Sequence, residues 1–173
     1  NLTSLTLFSF HNLEDEIYKV GELTSLSNLN LYNVPLDNLN FMTNLSSLTW
    51  LGIDWTGTND LAPLANLTRL QDVFASHNEI HDITPLSTFT CFSSLVITNN
   101  LIFDITPLKQ LTNLNTIDLR ENKHITCVDV TNRFGSINQL PAECFEPVDY
   151  TDTDNDGVPD IIDEDDDGDG VAD

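Results

Sequence analysis

The chain has 173 residues, 40% hydrophobic and 8% aromatic, with a formal net charge of −22. The hydrophobic content excludes a wholly disordered chain, and the acidity disfavours nucleic acid and anionic lipid headgroups, which would repel it. The charge is uneven: 12 of the 28 acidic residues fall in 149–173, where no basic residue occurs, leaving 16 acidic against 6 basic and a net −10 in 1–148.

The first residues, "NLTSLTLFSF", already carry the pattern that fills most of the chain. "LTRLQDVFASHNEIHDITPL" at 67–86 aligns throughout with "FTCFSSLVITNNLIFDITPL" at 89–108. Leu70, Val73, Ala75, Asn78, Ile80, Ile83 and Leu86 return as Phe92, Leu95, Ile97, Asn100, Ile102, Ile105 and Leu108, a period of 22. Leu114, Ile117, Leu119 and Asn122 continue it forward. Backward, Leu48, Leu51 and Ile53 repeat it, then Leu26, Leu29 and Leu31, and after a two-residue insertion Leu2, Leu5 and Leu7. Six turns result. Apolar residues two apart predict one short strand per turn, and the spacing of three along Ile83, Leu86, Phe89 and Phe92 predicts a 3₁₀-like opposite side.

These residues resemble the leucine-rich repeat, and the "DITPL" connections at 82–86 and 104–108 resemble its internalin-like class. The resemblance covers about 1–125 and implies an α/β solenoid with a parallel β-sheet on the concave face and a 3₁₀ or irregular convex side. Each turn then buries its apolar set only against its neighbours. Asn78, Asn100 and Asn122 hold the consensus asparagine slot, whereas Val34 and Thr56 occupy it earlier, so the first half is expected to be less regular. Pro63, Pro85 and Pro107 recur after the strands, where no ladder donor is lost. The acceptor-like triplets at Asn1, Asn44 and Asn66 follow from the repeat consensus and are not read as glycosylation sites.

In such a solenoid the residues between and after the strand leucines face outward on the concave side. Tyr32, Trp50, Trp55 and Phe74 bring aromatic rings there, with Asp54, Asp72 and His77 nearby and Asp118, Arg120 and Glu121 further on. Aromatic rings on a rigid sheet suit recognition of a protein or glycan, since they offer contact area at small entropic cost. The alternative is that Trp50 or Trp55 merely covers a gap left by Gly52 and Gly57. His77 with Asp54 and Asp72 lacks an adjacent serine or cysteine nucleophile, so no catalysis is expected.

After the repeats, Cys127 and Cys144 flank 128–143, where a solenoid needs an end cap; Cys91 lies on the convex side and is expected to be unpaired. A Cys127 to Cys144 disulfide would contribute about 3 kcal/mol in the chain-entropy model; two buried thiols are the alternative. No second close ligand pair accompanies them, so a zinc site is not expected.

"DTDNDGVPD" at 152–160 and "DDDGDGVAD" at 165–173 both read D-x-D-x-D-G-V-x-D. Carboxylates two apart converge on one centre, glycine permits the sharp turn, and the following carbonyl adds an oxygen, which is calcium chemistry. Asp152, Asp154, Asp156, Val158, Asp160 and Asp163 supply the first loop, Asp163 standing where a bidentate glutamate is usual. Asp165, Asp167, Asp169, Val171 and Asp173 supply the second, which ends before its closing acid. The tandem resembles thrombospondin type 3 repeats, implying that calcium stiffens an extracellular stalk; a solvated acidic linker is the alternative.

The expected organisation is a solenoid over 1–125, a cap over 126–148 and a calcium-binding tail over 149–173, with both ends resembling cuts from a longer protein. No apolar run approaches the roughly 20 residues of a membrane span and no signal peptide is recognisable. The sequence therefore reads as a secreted or surface-displayed, non-catalytic recognition module of bacterial type. A structural spacer in a large surface protein, or the binding arm of an extracellular enzyme, are the alternatives.

Overall fold

The computed structural model describes residues 2–9, 16–123, 125 and 153. Six strands, β1 (Ser4–Phe8), β2 (Asn28–Tyr32), β3 (Trp50–Gly52), β4 (Asp72–Phe74), β5 (Ser94–Val96) and β6 (Thr116–Asp118), form one sheet in chain order. Every neighbouring pair is parallel. The register follows the sequence period, with Leu5 opposite Leu29 and then Leu51, Val73, Leu95 and Ile117 in line. Between strands the chain returns through 3₁₀ turns at Ile17–Glu22, Asn40–Asn44, Ala62–Leu64, Thr84–Leu86 and Thr106–Gln110.

The core is the repeat's apolar set. Leu29, Leu51, Val73 and Leu95 are fully buried, as are Leu31, Ile53, Ala75 and Ile97 two residues on. Leu64, Leu86 and Leu108 close the core from the 3₁₀ side. There the i to i+3 pattern continues past Thr84–Leu86, with Phe89 N–H donating to Leu86 O at 3.2 Å and Phe92 N–H to Phe89 O at 3.3 Å. The last three 3₁₀ turns have a local start signal as well as a proline: Asp60, Asp82 and Asp104 each accept the backbone N–H two residues later through Oδ1 at 2.7 Å. This Asx turn aims the chain into the next 3₁₀ segment, whose Pro63, Pro85 and Pro107 sit in its first turn with no donor to lose.

The asparagine slots satisfy backbone groups that the inward bend would otherwise strand. Asn78 accepts from Thr56 N–H and Thr58 N–H, both at 3.0 Å, and donates to Ile53 O at 2.8 Å. Asn100 accepts from Ile80 N–H at 3.0 Å and donates to Ala75 O at 2.9 Å. Asn122 accepts from Ile102 N–H at 3.1 Å and donates to Ile97 O at 2.9 Å. Each amide thus ties its turn to the preceding one. Where Thr56 replaces asparagine, the preceding turn's Leu36 N–H goes to the Thr56 backbone carbonyl at 2.9 Å, while Thr56 Oγ1 donates to Ile53 O at 2.9 Å. The departure from consensus therefore changes the acceptor without orphaning the donor.

The cap at 126–148 with Cys127 and Cys144, and the calcium loops from Asp152 to Asp163 and Asp165 to Asp173, lie outside the described residues apart from Thr153. Cys91 is exposed and free.

Candidate functional site

The outward side chains of the sheet fall into columns fixed by the strand register. One column runs Ser4, Asn28, Trp50, Asp72, Ser94 and Thr116; two residues on, a second runs Thr6, Asn30, Gly52, Phe74, Val96 and Asp118. Just beyond the strands, an inter-turn ladder persists. Ser9, Asn33, Trp55, His77 and Asn99 each donate their N–H to a carbonyl of the following turn, on Tyr32, Asp54, Ser76, Thr98 and Arg120, at 2.9 to 3.0 Å. All five, with Glu121, have positive φ between 49° and 62°. Asparagine tolerates that backbone well, whereas a bulky ring there is uncommon. Trp55 nevertheless occupies it, half-exposed at 49%.

The aromatic residues do not form one patch; they pair across strands. Trp50 packs against Phe74 with ring centroids 5.2 Å apart, and Tyr32 against Phe8 at 6.3 Å. Trp55 stacks on His77 at 4.0 Å, nearly coplanar at 11°. The two tryptophans play different parts. A Cβ on Gly52 would fall 2.8 Å from Trp50 Cη2, so Trp50 lies over the space that Gly52 leaves, as the packing alternative holds. Trp55 does not, because nothing lies within 4 Å of a Cβ placed on Gly57. Its support is His77, whose Nδ1 meets Asn99 Nδ2 at 2.8 Å; with the amide nitrogen as donor, Nδ1 is the acceptor.

The carboxylates near His77 are engaged elsewhere. Asp54 Oδ1 accepts from Ser76 N–H at 2.7 Å and Asp72 Oδ1 from Ser93 Oγ at 2.8 Å. Among the described residues no group of three or more His, Cys, Asp or Glu is placed to hold a metal. Asp118 departs from the expected outward charge: it is only 4% exposed, gripped by Arg120 through Nε at 2.9 Å and Nη2 at 2.6 Å. An arginine two residues later folds back across the strand end and covers it. The same hydrogen-bonded carboxylate holds the Arg120 guanidinium above its ordinary pKa.

Phe8, 59% exposed, is the residue the sequence reading omitted. Its signal was the 24-residue offset between Leu5 and Leu29, which places Phe8 opposite Tyr32. At the β1 to β3 end, Ser4, Leu5, Thr6, Asn28, Asn30 and Trp50 line an open cleft of about 230 Å³.

Three solved structures share this architecture. Internalin C2 of Listeria monocytogenes superposes with a TM-score of 0.69 at 31% identity over 75% of this chain and 56% of that one. Internalin F of the same organism gives 0.60 at 25% identity over 84% of this chain and 48% of that one. A leucine-rich-repeat protein of Leptospira interrogans gives 0.64 at 24% identity over 76% and 34%. No family model and no curated protein matches the chain. The chain is a leucine-rich-repeat solenoid, similar to internalins and spanning about half the length of the two compared. No helix among the described residues is long and apolar enough to cross a membrane.

Proposed function

We propose that the chain is a non-catalytic recognition module, secreted or displayed on a bacterial surface, whose concave sheet binds a protein or glycan. The observation that carries this reading is Trp55. A ring half in solvent, on a backbone conformation that asparagine would adopt more readily, stacked on a histidine that is itself hydrogen-bonded, is costly to hold and contributes little to the core. Rigidly presented tryptophan and tyrosine are what a binding hot spot uses. Tyr32 and Phe8 extend the apolar contact; Asp54, Asp72 and His77 give it polar edges, and Trp50 and Phe74 stiffen the mid-sheet. The internalin-like architecture supports an extracellular site of action and a protein ligand.

Binding screens against purified extracellular proteins and an immobilised glycan panel, run with the wild type and with Tyr32→Ala, Trp55→Ala, test this. A ligand lost by the double variant at an unchanged melting temperature supports the reading; ligands kept equally by both sink it.

Calcium is part of the same proposal. The loops of Asp152, Asp154, Asp156, Val158, Asp160 and Asp163, and of Asp165, Asp167, Asp169, Val171 and Asp173, would exchange carboxylate repulsion for shared coordination and stiffen the tail. A Cys127 to Cys144 disulfide suits an oxidising compartment.

A further inference from the structure

We propose that the cleft at the β1 to β3 end of the concave sheet is a subsite for a neutral sugar ring. The idea rests on the concave sheet being a recognition surface, and it names one ligand class for one part of it.

The lining is Ser4, Leu5, Thr6, Asn28, Asn30 and Trp50, with no charged side chain, although the body of the chain is acidic and Asp72 follows Trp50 in the next strand. Register places Ser4 beside Asn28 and Thr6 beside Asn30. Neighbouring strands lie about 4.8 Å apart and alternate residues about 7 Å apart, so the four polar side chains form a grid on the scale of one pyranose ring. Asn28 Oδ1 accepts from Ser27 Oγ at 2.7 Å, but the Asn28 Nδ2, the Asn30 amide and the Ser4 and Thr6 hydroxyls have no protein partner among the described residues. Amides and hydroxyls that both donate and accept match the hydroxyls of a sugar, which do the same.

Trp50 supplies the apolar wall that the C–H groups of a pyranose require. Its place is set by packing: Phe74 flanks the ring, and the absent side chain of Gly52 leaves room for it. A Cβ at Gly52 would also come 2.7 Å from Asn30 Oδ1, so the glycine admits the ring and the amide together. A bulky anchor from a protein partner would find no closed apolar pocket here, and an ionic group would find no counter-charge. The cleft, at about 230 Å³, is smaller than the about 300–1,000 Å³ of typical ligand pockets, which fits one ring of a longer glycan. Held by so few contacts, a single sugar should bind in about the millimolar range.

The test is an NMR titration of the full chain with methyl glucoside, methyl mannoside, methyl galactoside and N-acetylglucosamine to tens of millimolar. N-acetylneuraminic acid serves as the charged comparison. The expected result is a saturable shift of the Trp50 indole N–H with at least one neutral sugar and none at Trp55. Asn28→Ala and, independently, Thr6→Ala on the exposed strand positions should weaken it by about tenfold or more, and Trp50→Ala, read at the Asn28 and Asn30 side-chain amides that line the same cleft, should weaken binding likewise. No saturable shift from any neutral sugar, an equal response in Asn28→Ala and Thr6→Ala, or a preference for the acid would overturn the proposal. If a macromolecular ligand is still lost on changing Tyr32 and Trp55, the sugar subsite alone fails; if those variants also bind normally, the recognition reading fails with it.

Discussion

Replacing Asn100 with alanine removes one rung of the ladder that joins successive turns. Asn100 is 5% exposed, and its amide takes the Ile80 N–H at 3.0 Å and gives a hydrogen bond to Ala75 O at 2.9 Å, both on fully buried residues. Alanine orphans the Ile80 N–H in the core, whereas Ala75 O keeps a second donor, Asn78 Nδ2 at 3.1 Å. One orphaned buried donor costs about 1–3 kcal/mol, so a net loss of about 2 kcal/mol is expected. That is a large share of the roughly 5–15 kcal/mol that holds a typical domain together. Urea unfolding gives the measurement, with amide exchange at Ile80 as a local reporter whose protection should fall. Asn99→Gly, one residue away on the exposed positive-φ position, is the control and should move stability by less than about 0.5 kcal/mol. A loss below about 1 kcal/mol at unchanged denaturant slope, with Ile80 still protected, would refute the ladder as a source of stability.

Gly52→Ala should leave the fold intact while displacing the Trp50 ring and the Asn30 amide, because both crowding atoms end mobile side chains. Its reporter is the Trp50 indole shift, and an unmoved indole contradicts the packing described. Asp82→Ala removes the acceptor for Thr84 N–H at 2.7 Å and should cost about 1 kcal/mol by urea midpoint, as caps do, whereas Asp82→Asn keeps Oδ1 and should lie near wild type. Equal losses in both variants would count against the Asx turn. Calcium titration by calorimetry should show binding in about the 10⁻⁴ to 10⁻³ M range that vanishes in Asp154→Asn, Asp156→Asn. Absence of heat in the wild type would remove calcium from the account.

The solenoid was legible because its evidence repeats. Leu29, Leu51, Val73 and Leu95 mark the same depth in successive turns, and a period fixes register when each turn pairs only with its neighbours. The asparagine slots followed from the same alignment. What depends on cross-strand neighbours was harder to read. Trp50 and Trp55 look alike in sequence, yet one fills space beside a glycine and the other stands on a histidine 22 residues away. Phe8 was hidden by the two-residue insertion that precedes Leu26, and the burial of Asp118 depends on Arg120 folding back over it. Glycine at 52 was a usable signal, since a missing side chain in a sheet column leaves a space for some neighbour to fill. The aspartates of the Asx turns were visible at 60, 82 and 104, but their role emerges only when the amide two residues on turns toward them.

The most direct test of the account is the affinity of a ligand found in the protein and glycan screens, measured for wild type, Trp55→Ala, Tyr32→Ala and the convex-side Lys109→Ala. If Trp55 anchors recognition, its loss should weaken binding by about 30-fold, the scale of a hot spot of about 2 kcal/mol, with Tyr32→Ala weaker too and Lys109→Ala unchanged. Binding that survives both aromatic changes and falls with Lys109→Ala would put recognition on the convex side and contradict the account.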